Sequence, residues 1–78
     1  MPRYFFHLYD DVICKDDEGL ELADEDAALG EAKRSAKQIA CAQVLDGHLN
    51  LKHRIEVEDD ARQLIGTVRF EDVIALET

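Results

Sequence analysis

The chain has no tryptophan, one proline, one methionine, two cysteines and four glycines among its 78 residues. Each scarcity removes a class of protein. Cys14 and Cys41 stand far apart with no CxxC, which excludes a disulfide scaffold and leaves a reduced, cytoplasmic protein as the expectation. No phosphate-loop pattern is present. The longest mostly apolar run, Tyr4 to Tyr9, is too short for a membrane span or for the core of an export signal. Bases are scarce too: 9 against 18 acids, for a net charge of −9. An acidic surface repels phosphate backbones and anionic membranes, so neither nucleic acid nor membrane is expected as a partner.

The charge is uneven. Residues 1–30 carry nine acids and two bases, residues 31–54 two acids and five bases, and residues 55–78 seven acids and two bases. A basic middle segment thus lies between two acidic flanks, and a basic partner is permitted. A chain this short makes one domain, spanning 1–78, with a thin stability margin that oligomerisation often widens.

What is present reads as α+β. Arg3 to Tyr9 is aromatic and strand-forming. Its alternation puts Tyr4, Phe6 and Leu8 on one face and Arg3, Phe5, His7 and Tyr9 on the other. Val12 to Cys14 is a short second strand. Asp16-Asp17-Glu18-Gly19 is a turn in which Gly19 supplies positive φ, and Leu20 to Leu22 is a brief extended piece. Asp24 is an N-cap, with Glu25 and Asp26 at the positive end of the helix dipole.

The helix runs to Leu45 and stops at Gly47. Its apolar stripe is Ala28, Leu29, Ala32, Ala36, Ile39 and Ala40, small enough for a close approach to a sheet. His53 to Glu58 and Gln63 to Phe70 alternate about a turn at Asp59 to Arg62, which makes an antiparallel hairpin. In the last strand Leu64, Gly66, Val68 and Phe70 share one face and Ile65, Thr67 and Arg69 the other. Glu71 to Leu76 is a short helical turn. The expected layout is β-β-α-β-β, a small antiparallel sheet with one long helix across one face; strand order stays open.

The opening Met1-Pro2-Arg3-Tyr4-Phe5-Phe6-His7, with Asp17-Glu18-Gly19, Glu21-Leu22 and the stretch from Asp24 to Ala32, resembles a family of short uncharacterised proteins of rhizobial and related alphaproteobacteria. The resemblance extends to Phe70-Glu71-Asp72 and implies a fold and a bacterial lineage without an activity. One departure is Ala61, where relatives commonly carry glycine, which leaves the turn type open. The order of strand, acidic turn and helix also looks like the antitoxin half of bacterial toxin–antitoxin pairs, as fold analogy alone.

No arrangement of chemistry-bearing residues points to a catalytic, cofactor or metal site. The acids between Asp10 and Asp26 lack the alternation of a calcium loop, with Cys14 and Lys15 where ligands are wanted. His7, His48, His53, Cys14 and Cys41 show no paired ligand spacing. Neither cysteine sits beside an oxyanion-type turn. The expectation is a small non-enzymatic interaction or regulatory module, with no cofactor. An antitoxin-like partner-binding protein is the alternative, and a ligand- or metal-dependent enzyme a further one. A one-helix, two-layer fold leaves the face of Arg3, Phe5, His7 and Tyr9 uncovered, and exposed clustered aromatics mark interfaces. That face is the expected interface, for a homodimer or another protein.

Overall fold

In a computed structural model, described for residues 1–77, the elements in chain order are β1 (Arg3–Tyr9), β2 (Ile13–Cys14), β3 (Leu20–Glu21), α1 (Glu25–Leu45), β4 (Arg54–Glu58), β5 (Leu64–Arg69) and α2 (Phe70–Val73). The α+β expectation holds. The extended piece before the helix is a strand of its own, so the order is β-β-β-α-β-β, ending in α2. All pairings are antiparallel, in the order β2-β1-β4-β5, with β3 on the same edge of β1 as β2 but nearer its start.

α1 begins where Asp24 Oδ1 accepts the Ala27 N–H at 2.8 Å, with Glu25 and Asp26 in the first turn. It ends with the His48 N–H on the Gln43 carbonyl and Gly47 at φ 94°, which turns the chain out of the helix. Ala28, Ala32, Ala36 and Ala40 form its buried stripe, and Leu29 and Ile39 pack at the margins. The stripe lies on Ile55, Val57 and Val68, while Phe70 and Val57 are the largest wholly buried side chains. Phe6 is half-buried, and the volume comes from Phe70, which turns in under the sheet at the start of α2.

Gly66 shows how close the helix comes. A Cβ there would lie 2.6 Å from Leu29 Cδ2, so the missing side chain is the hollow that receives Leu29. The face assignment of β5 also needs correcting. Val57 pairs with Gly66 but Glu58 pairs with Leu64, so Ile65 is an extra residue in a bulge. Strict alternation would send Leu64 to the helix. Instead Leu64 is 57% exposed beside Glu58, and Ile65 packs on the core.

Candidate functional site: the outer face of the sheet

The face away from α1 is where the expected interface residues Arg3, Phe5, His7 and Tyr9 lie. The register sets it out in rows. Ile13, Tyr9, Arg54 and Arg69 stand side by side at one end; His7, Glu56 and Thr67 lie in the middle; Phe5, Glu58 and Leu64 stand at the other end. An uncovered aromatic cluster was the expectation, and the structure corrects it. Phe5 is only 7% exposed and His7 only 4%. The segment from Lys15 to Gly19 folds back as a strap over them.

Asp16 ties the strap down. Its Oδ2 accepts the Phe6 N–H at 3.0 Å, filling a gap in the β1 edge between the β2 and β3 pairings. Its Oδ1 accepts the N–H groups of Glu18 and Gly19 at 3.1 and 3.0 Å. Its own N–H donates to His7 Nδ1 at 3.0 Å. Because Nδ1 accepts there, the ring proton sits on Nε2, which donates to Glu58 Oε1 at 3.0 Å. Burial pushes the Asp16 carboxyl up, but the N–H donors of Gly19, Phe6 and Glu18 outweigh it and hold the group below the usual range. The His7 hydrogen bond likewise outweighs the burial of Glu58, helped by the charges of Arg62 and Lys15, and holds that carboxyl low.

Gly19 is required where it sits. Its φ is +71°, and a Cβ would come 2.7 Å from the Tyr4 carbonyl oxygen and 3.0 Å from Phe5 Cδ1. From the other side Arg62 lays its guanidinium 3.6 Å from the Phe5 ring centroid and 3.8 Å from Glu58. The hairpin turn presents Arg62 by way of Asp59, whose Oδ1 accepts the N–H groups of Ala61 and Gln63. The left-handed residue of that turn is Arg62, at φ 62°, rather than Ala61. Arg3 is drawn aside by Glu21 at 3.1 Å and by the Glu18 carbonyl.

Only the Tyr9 end keeps the expected character. Arg54 lies 4.3 Å and Lys15 4.8 Å from the Tyr9 ring centroid, and the Lys15 ammonium donates to the Tyr9 hydroxyl. That hydrogen bond favours the ammonium and raises the Lys15 pKa. Ile13, 59% exposed, flanks the ring. Of the four expected residues, then, Phe5 and His7 are inside, Arg3 is committed to Glu21, and Tyr9 is offered. Sequence reasoning missed Lys15, Ile13, Glu58 and Leu64 as parts of this face. The signal for Asp16 was available, as an acid three residues before a glycine in a turn. The bulge that exposes Leu64 had none.

On the helix side, His53 is buried edge-on to Phe70, with ring centroids 5.7 Å apart. Gln43 Nε2 donates to His53 Nδ1 at 2.9 Å and Asp11 stands 3.5 Å from His53 Nε2. Gln43 Oε1 has no hydrogen-bond partner among the described residues. Cys14 and Cys41 are both exposed and unbonded. No three histidine, cysteine or acidic side chains gather as a metal-holding group among the described residues, and none of the helices there is long and apolar enough to cross a membrane.

A small antiparallel sheet with one long helix on one face and a strapped, charged opposite face defines the class: a two-layer α+β domain. Within it, the chain belongs to the family described as a domain of unknown function, DUF6894, which it matches over residues 3–71. The match covers both the strap and the hairpin. Comparison with curated proteins and with solved structures found no match.

Proposed function

We propose that this protein is a small non-enzymatic interaction module that works by self-association through the outer face of its sheet. One observation carries the reading. After the strap and Arg62 have covered Phe5 and His7, the same face still holds Ile13 and Leu64 more than half exposed at opposite corners, with Tyr9 on β1 between the strands that bear them. Apolar groups spread over a flat face suit contact with another flat surface better than capture of a small molecule, which favours a concave pocket. A shallow hollow of about 320 Å³ at Val44, Gly47, His48 and Leu49 lies at the far end of α1 and gathers no convergent polar groups. Sedimentation equilibrium over a wide concentration range is the test. A dimer should form as concentration rises, and a double change of Ile13→Ser with Leu64→Ser should abolish it while leaving the melting temperature near that of the parent. A chain that stays monomeric throughout removes the proposal.

A further inference from the structure

We infer that the occupant of the outer face is a second copy of this chain, packed sheet to sheet about a two-fold axis that runs across the strands, so that the cationic end of each face lies on the acidic end of the other. The inference rests on the self-association proposed above and adds its geometry and its charge logic.

The two ends of the face are charged differently, and each keeps charges with no ion-pair partner among the described residues. At the Tyr9 end, Arg54 and Arg69 stand directly opposite one another on β4 and β5. Like charges so placed repel. Of the acids around them among the described residues, only Glu56 makes an ion pair with either arginine. Glu56 holds Arg54 Nε at 2.9 Å, Asp72 accepts the Arg69 N–H, Asp10 accepts the Val12 N–H, and Asp11 is turned to His53. Lys15 and Arg69 therefore have no carboxylate at ion-pair distance among the described residues.

The Phe5 end is the reverse. Its cations are used up, Arg62 on Glu58 and Arg3 on Glu21. Left without an ion-pair partner among the described residues are Asp17 and Glu18 on the strap and Asp59 and Asp60 at the turn, the last two accepting backbone N–H groups at their carboxylates.

Geometry then selects the axis. A two-fold along the strands would lay the Ile13–Tyr9–Arg54–Arg69 row on the partner's same row, cationic end on cationic end and acidic end on acidic end. A two-fold across the strands lays the Ile13–Tyr9–Arg54–Arg69 row on the partner's opposite row. Lys15 then meets the partner's Asp17 and Glu18, Arg54 meets the partner's Glu58, and the partner's Leu64 covers the aliphatic stem of Arg69. Strands run nearly antiparallel across this contact, which is the aligned mode of sheet packing. The size of the face limits the strength. Three strand spacings by five residues is about 14 by 17 Å, below a standard interface, so the dimer is weak and concentration-dependent.

The experiment is a charge exchange read by sedimentation velocity on the full chain, with thermal melts to show that each variant folds. Lys15→Glu alone and Glu18→Lys alone should each weaken dimerisation by about tenfold or more, and the two together in one chain should restore it to within about threefold of the parent. Isotope-filtered NOE spectra of a mixed labelled and unlabelled dimer of the unaltered chain give a second readout, with contacts expected between Leu64 methyls and the partner's Arg69 side chain. A dimer showing Leu64 against the partner's Leu64, or one in which the exchange fails to restore association, overturns the geometry and leaves self-association standing. A monomer at every concentration overturns both.

Discussion

Asp16 makes four hydrogen bonds from one residue: three accepted from backbone N–H groups and one donated to His7. It replaces a missing stretch of strand with a carboxylate. Because its pKa is lowered on folding, as is that of Glu58, the sign is determinate. Both groups stabilise the fold fully above their unfolded pKa values, and the contribution is lost as pH falls through the folded ones. Chemical unfolding measured at a series of pH values should therefore show stability falling below about pH 4.5. Asp16→Asn, which abolishes the titrating group, should flatten that fall and lower stability at neutral pH. Two glycines make an opposed pair. Gly19→Ala must place a Cβ in a left-handed residue against the Tyr4 carbonyl and should cost about 1–3 kcal/mol. Gly30 lies inside α1 with open space around it, so Gly30→Ala should gain about 0.5–1 kcal/mol. Denaturant midpoints at neutral pH check both.

At the scale of elements, α1 is scaffold. Ala28, Ala32, Ala36 and Ala40 are all at most 1% exposed, so the helix lies against the sheet with no slack. Replacing Ala36 by leucine should overpack the layer and cost about 1–3 kcal/mol, seen as a lower melting temperature with the helical circular dichroism retained. The strap and the hairpin turn are the elements that determine what the outer face presents. They meet over Phe5, one through Gly19 and the other through Arg62. The helix has no part in that face, which is why its exposed Lys33, Arg34 and Lys37 lie on a different surface from the proposed interface.

For the whole molecule, the excess of acids over bases sets the response to salt. The ion pairs are mostly surface pairs, worth little singly, whereas the net charge of −9 repels itself across a small body. Screening should therefore favour the folded state. At a concentration where the chain is monomeric, the melting temperature should be higher in about 0.5 M than in about 0.02 M sodium chloride, where the Debye length is longer than the protein's radius. A fall with salt would mean that the pairs outweigh the net repulsion. The opposite trend is expected for dimerisation through Lys15 and Arg54, since those contacts are between opposite charges.

The amino-acid sequence alone determined what local chemistry can determine. The Asp24 cap, the alanine stripe, the Gly47 stop, the positive φ of Gly19 and the hairpin about Asp59 to Arg62 follow from residue preferences and from periods of 2 and 3.6. The α+β layout followed from their order. Tertiary structure alone decided three things. The β2-β1-β4-β5 order depends on which strands meet, which alternation does not encode. The bulge at Ile65 moved Leu64 to the outer face because one unpaired residue reverses a strand's facing beyond it. The covering of Phe5 and His7 came from Asp16, Gly19, Glu58 and Arg62, residues up to 57 positions from those they cover, and no pattern within one strand reports such contacts. The face of Arg3, Phe5, His7 and Tyr9 was legible as a face. Which of its side chains remain available was settled by charges and hydrogen bonds between segments distant in the chain.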